Sequence, residues 1–279
     1  MINTDFCYLD DALGKPFRPD DYNGKQDKVG DMKYRDPDSA SIRLYADLCD
    51  IWSQSPFEFK VCSGQYLNLE DQFGRRYSSD WIGPSRYWAM TVGMTDTEIG
   101  KYLKEARTIG GHVLWPVHPI PTLNTSRGGA GSLYDRIDLT LYEIQQYYLG
   151  KPSCFSSSFR KQIEKDCWFF DALKISENDT IENFISYIDF WKLNPFVDDD
   201  YQVISLPNSS FEEKKYKTVS SQESIFPGNT KGIKVSSKST LSEEEKGILL
   251  PSFKQYVKNN VMAIHERNQK ISEGQLVKI

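Results

Sequence analysis

Between Thr95 and Tyr148 the chain commits itself to a helix, a strand, a loop and a second helix, and this succession limits the folds open to it. Thr95 with Glu98 three residues later is a capping box, and Ile99, Tyr102, Leu103, Ala106 and Ile109 recur behind it at helical spacing. Gly110 and Gly111 end that helix. His112 to Trp115 then reads as a short buried strand closed by Pro116, with His112 and Leu114 on one face and Val113 and Trp115 on the other. A Pro-rich loop leads through the small residues of 126–132 to a helix starting near Leu133. Its apolar face is Ile137, Leu141, Ile144 and Tyr148, and Gly150 with Pro152 stops it. A short strand set between helices predicts an α+β fold, mostly helical, with a small mixed or antiparallel sheet.

The flanking segments fit that class. Residues 1–37, rich in Asp, Gly, Lys and Pro, predict an irregular arm. Asp38 or Ser39 can cap a helix to about Ser53 that buries Ile42, Tyr45, Leu48, Cys49 and Trp52. Alternation at Phe57, Phe59 and Val61, resuming at Tyr66, Leu67 and Leu69, predicts two strands joined by a tight turn. Residues 74–88 read as a turn around Gly83 and Pro84 whose Ser and Asp side chains satisfy local backbone groups, or as an anion site served by Arg75, Arg76 and Arg86. Helical patterns cover 159–173 and 180–193, a strand covers 201–206, and Ser252 with Gln255 caps a last helix carrying Tyr256, Val257, Val261 and Ile264. The expected division is a main domain with its arm over 1–206, a Ser-, Lys- and Glu-rich insertion or linker over 207–247, and a helix over 248–279 that packs on the main domain.

Composition narrows the function classes. The five cysteines show no CxxC or Cys/His ligand spacing, which argues for reduced thiols and against a zinc site. No run approaches the roughly 18 apolar residues of a membrane span, and the first residues lack a basic region followed by an apolar one, so no membrane partner and a cytoplasmic location are expected. A net charge of −5 gives no general attraction for nucleic acid; an RNA ligand would need a local basic patch.

Residues 107–148 hold two of the three histidines and the densest set of reactive side chains. His118 precedes a proline in a loop where no packing pattern demands an imidazole, which suits a general acid or base. His112 is either a second catalytic imidazole or a core histidine. Asn124, Arg127, Gly128 and Gly129 form a loop before a helix that can bind phosphate through converging backbone N–H groups, although a flexible connection has the same composition. Arg136 would be a second anion clamp. Asp135 and Asp138 are candidate ligands for Mg²⁺ or Mn²⁺, and Asp138 could instead orient a histidine; compensation of the helix dipole also explains both. His265 and Arg267 do not share a helical face and read as charges near a helix end.

Several stretches, among them 36–53, SSDWIGPS at 78–85, IGGHVLWP at 109–116, LNTSRGG at 123–129, YDRIDLTLYEIQQYY at 134–148 and ERNQKI at 266–271, together resemble an uncharacterised bacterial protein family. The likeness covers nearly the whole chain outside the Ser/Lys-rich stretch. It brings no activity, cofactor or residue role with it. Two functions follow from the residues themselves. One is an intracellular enzyme acting on a phosphate-containing substrate, a nucleotide or RNA, in a bacterial toxin or phage-defence setting. The other is a non-enzymatic binding or interaction protein whose His/Arg/Asp cluster is an internal hydrogen-bond network. The first requires these groups to line an open pocket; the second, that they be sealed and paired.

Overall fold

The computed structural model describes residues 2–12, 27–29, 32–34, 37–63, 67–84, 86–117, 136–154, 157–220 and 240–276. The chain is α+β: helices predominate and the larger sheet is small and antiparallel. It divides into two compact units. Unit 1 takes residues 1–81, 95–117 and 268–279, and unit 2 takes 82–94 and 118–267.

Unit 1 is built on a four-stranded sheet, in the order β3 (Lys60–Ser63), β4 (Leu67–Glu70), β5 (Arg76–Trp81), β6 (His112–Pro116). A second hairpin pairs β1 (Asp27–Val29) with β2 (Met32–Tyr34). Strand β5 replaces the turn expected over 74–88. Tyr77, Ser79 and Trp81 point inward while Arg76, Ser78 and Asp80 are partly or wholly exposed, the alternation of a half-buried strand. A serine at an inward position hid that period. Asp71 organises the preceding turn: it accepts the N–H groups of Phe73 and Arg75, the Arg75 Nε–H and the Tyr77 hydroxyl, which aligns β5 with β4.

Ser41, rather than Asp38 or Ser39, caps α3 (Ile42–Trp52), its Oγ accepting the Leu44 N–H at 3.0 Å. Helix α3 buries Leu44, Tyr45, Leu48, Ile51 and Trp52, but Ile42 is exposed. Asp38 falls in a separate short helix, α2 (Pro37–Ala40), and the expected irregular arm contains α1 (Tyr8–Ala12). Helix α5 (Asp96–Ala106) starts on the Thr95–Glu98 capping box as read. It ends at Ala106, and Ile109–Gly111 forms a 3₁₀ turn into β6. Gly111 is required there: a Cβ would sit 2.0 Å from the Ala106 carbonyl oxygen. Every residue of β6 is buried.

Unit 2 contains α4 (Arg86–Thr91), α6 (Ile137–Tyr148), α7 (Ser157–Lys165), α8 (Cys167–Asp171), α9 (Ile181–Phe190) and most of α10 (Glu243–Leu276). Its core is aromatic. Tyr148, Phe170 and Tyr187 pack with ring centres 5.8–6.3 Å apart, and Phe169, Phe184 and Trp191 are also buried; each such side chain contributes roughly 1.5–3 kcal/mol through area removed from water. The stretch 201–206 makes only isolated bridges, Val197 with Val203 and Ile204 with Thr218. Asn259 on α10 donates to the carbonyls of Leu206 and Ser209, so the first part of the expected linker is tied to the helix; residues 221–239 lie outside the described ones. Helix α10 starts nearly three turns before the Ser252–Gln255 box, on a Ser242–Glu245 box, and carries Pro251 inside it. Proline lacks only the N–H that would have bonded to residue 247, and the helix continues past it.

Candidate functional site

Three of the foreseen site residues, His112, Arg136 and Asp138, are described; His118, Asn124, Arg127, Gly128, Gly129 and Asp135 lie outside the described residues.

His112 opens β6, opposite Trp81 of β5, and is wholly buried. Its Nδ1 lies 2.9 Å from Asp38 Oδ1 and 3.2 Å from Ser79 Oγ, and the Ser79 hydroxyl donates to that same Asp38 oxygen. A carboxylate oxygen only accepts, so Nδ1 carries the proton and Nε2 is left basic. Arg107, just past α5, donates to the second Asp38 oxygen at 3.2 Å while its guanidinium lies 3.9 Å from the centre of the Trp81 ring. The Asp38 backbone carbonyl accepts the Tyr45 hydroxyl, which in turn accepts the Ser79 N–H. One carboxylate thus joins α2, β5, β6 and the end of α5, and its carbonyl adds α3.

Burial alone would raise the pKa of Asp38, but His112, Arg107 and Ser79 outweigh it and hold the carboxyl well below its usual range. Burial also lowers the pKa of His112, more than Asp38 raises it, so the imidazole is neutral near pH 7. With the imidazole neutral, the Arg107 charge and the donated hydrogen bonds keep Asp38 ionised. A serine, a histidine and an aspartate meet here, yet Ser79 and Asp38 share one ring nitrogen. A nucleophile–base–carboxylate relay needs them on opposite nitrogens.

Arg136 and Asp138 stand at the start of α6 and are 2% and 0% exposed. Arg136 is bidentate on the carboxylate, Nε to Oδ1 and Nη2 to Oδ2 at 2.7 Å each, and Asp138 Oδ2 also accepts the Leu206 N–H at 3.0 Å. The Arg136 guanidinium lies 5.3 Å from the Tyr256 ring centre. Both oxygens of Asp138 are therefore engaged. Among the described residues no group of three or more His, Cys, Asp or Glu side chains is placed to share a metal ion.

Sequence reasoning missed the Asp38–Ser79–Arg107 set and a second buried ion pair in unit 2, between Glu143 on α6 and Arg160 on α7 at 2.8 Å. Arg160 also donates to the Lys151 carbonyl. Ser79 and His112 are 41 and 74 positions from Asp38, too far for any local pattern to connect. Arg160 borders an open cavity of about 490 Å³, whose charged and aromatic lining is Tyr147, Lys151, Arg160, Glu164, Lys174 and Asp179. That volume lies within the roughly 300–1,000 Å³ of small-molecule sites. Arg160 is neutralised by Glu143 and Lys174 is 2.9 Å from Asp171, so with Lys151, Glu164 and Asp179 also in the lining the cavity carries no excess of positive charge. Near the end of α10, His265 is exposed, whereas Arg267 is wholly buried and donates through Nε and Nη2 to the Trp191 carbonyl; burial lowers its pKa to about 9.

No described helix is long and apolar enough to cross a membrane. The model of a family of unknown function matches residues 19–271. No curated protein and no solved structure matches the chain.

Proposed function

We propose, for a chain that belongs to the family of unknown function DUF6994, that it is a binding module whose described polar clusters are structural. The observation that carries this reading is the sealing of those clusters: His112, Arg136 and Asp138 are each buried and each bonded to a charged partner. Groups that turn over a solute have to be reached by it. The cavity beside Tyr147 supports a small ligand, and its mixed lining suits a molecule carrying both signs of charge, with Lys151 facing an acidic group and Glu164 and Asp179 facing an amine.

The test is a thermal-shift panel of zwitterions, nucleotides and short RNA, read beside an assay for turnover of the last two. Zwitterions are expected to raise the melting temperature, and Lys151→Ala or Glu164→Gln to remove that rise. The reading fails if no zwitterion stabilises the protein, or if nucleotide or RNA turnover is found that Asp138→Asn or His112→Gln abolishes in a folded protein.

An enzyme acting on a nucleotide or RNA, with a cytoplasmic role in bacterial toxicity or phage defence, is the second proposal. It is supported by the carboxylate-held imidazole of His112, a general-base geometry. Turnover lost in both His118→Ala and Arg127→Ala would decide for it.

A further inference from the structure

We propose that the cavity beside Tyr147 takes a basic amino acid, a ligand with two cationic groups and one carboxylate. This rests on the binding reading above and names the ligand class within it. The charges around the cavity carry the choice. Of its cations, Arg160 is held by Glu143 at 2.8 Å and Lys174 by Asp171 at 2.9 Å. Among the described residues no ion pair takes up Lys151, Glu164 or Asp179. Two carboxylates and one ammonium are left over, and the ligand that balances them carries the opposite set. A neutral zwitterion would leave one carboxylate without a counter-charge, and a dicarboxylic amino acid would add an anion beside it.

Backbone geometry sets where one of these carboxylates stands. Helix α6 is terminated by Gly150 in the left-handed conformation, φ +63°, the Gly150 N–H donating to the Tyr147 carbonyl and the Lys151 N–H to that of Gln146. The Asp179 carboxylate packs on the bare Cα of Gly150, so close that a Cβ there would sit 2.6 Å from its Oδ2. Arg160 donates to the Lys151 carbonyl at 2.8 Å, and Glu143 accepts the Cys154 N–H at 3.2 Å. The buried ion pair thus holds the backbone on which Lys151 stands.

Helix ends favour cations as well. The lining takes residues from the end of α6 and, through Glu164, from the last turn of α7, both negative ends; the positive end of α9 lies just past Asp179. The Tyr147 ring is already supplied with cations, since Arg160 and Lys174 lie 5.7 and 5.6 Å from its centre. The ligand's cations therefore belong on the carboxylates, which calls for ammonium or guanidinium N–H donors rather than a quaternary ammonium.

Isothermal calorimetry on the full chain tests this with lysine, with Nε-acetyllysine, which lacks the second cation, and with lysinamide, which lacks the carboxylate. Lysine is expected to bind about threefold more tightly than either, the modest gain of one ion pair open to solvent. Glu164→Gln or Asp179→Asn is expected to abolish its advantage over Nε-acetyllysine, and Lys151→Met its advantage over lysinamide. If lysine and Nε-acetyllysine bind the wild type equally, the ligand class is wrong and the zwitterion reading stands; if neither binds, both fall. Lysinamide binding as tightly as lysine overturns the proposal in favour of a plain amine. It is likewise overturned if lysine keeps its advantage over Nε-acetyllysine in both carboxylate variants, because the second cation is then held elsewhere.

Discussion

Removing the Asp38 carboxylate leaves the Arg107 guanidinium and the His112 imidazole without the anion both point to. Asp38→Asn is expected to destabilise the protein by roughly 3–5 kcal/mol, the cost of breaking one side of a buried ion pair, in urea titrations followed by circular dichroism. The same cluster makes stability depend on pH. His112 has a folded pKa below its unfolded value, so its contribution is complete above about pH 6.5, the unfolded value, and is lost as the pH falls from there through the folded one. Asp38, also lowered, adds a second loss below about pH 4. Unfolding free energy is expected to decline between pH 7.5 and 5.5, and His112→Gln to flatten that slope. At Asp138 the two truncations differ in a way that separates charge from packing. Asp138→Ala strands Arg136 and should cost roughly 3–5 kcal/mol. Arg136→Met with Asp138→Leu should recover most of it, short of the roughly 1–3 kcal/mol for an unsatisfied Leu206 N–H. Little of this was legible beforehand. Asp38 reads as a helix cap and Ser79 as a turn residue, because a sequence shows neighbours and these residues find their partners across the fold.

Elements were more legible where one local rule decided them. The α5 capping box and the apolar stripe behind it fix a helix with no help from the rest of the chain, and the structure agrees residue by residue at its start. Strand β5 was missed because its inward serine belongs to the polar cluster rather than to the apolar pattern. In α10 the Ser252–Gln255 box misplaced the start of the helix, which lies at Glu243 behind Ser242. Pro251→Ala restores a hydrogen-bond donor on an exposed position and is expected to stabilise the protein by about 1–3 kcal/mol, read as a rise in melting temperature. Two glycines should respond differently to alanine. At Gly111 the new Cβ would meet a backbone oxygen at 2.0 Å, which cannot move without the end of α5. At Gly150 the obstacle is the Asp179 carboxylate at 2.6 Å, on a side chain that can rotate, leaving mainly the φ of +63°. Gly150→Ala is expected to cost about 1–2 kcal/mol, and Gly111→Ala clearly more, by thermal denaturation of the two variants side by side.

For the whole molecule, the two units hold their buried charge by different chemistry. The cluster of unit 1 contains an imidazole, whereas the described buried ion pairs of unit 2, Arg136 with Asp138 and Arg160 with Glu143, join guanidinium to carboxylate. Protection factors from amide exchange are accordingly expected to fall in β5 and β6 between pH 7.5 and 5.5 and to hold in α6 and α9. Equal losses in both would show that the imidazole is not what responds.

Successive residues of α10 also serve different units. Arg267 donates to Trp191 in unit 2, while the Asn268 side chain accepts the Gly110 N–H and donates to Thr108 in unit 1. A fragment cut after residue 117 would therefore lack the amide that holds the turn into β6. Neither unit can be liberated by severing the polypeptide at one place, and biochemical dissection of this protein has to proceed by grafting or by supplying the missing turn as a separate peptide.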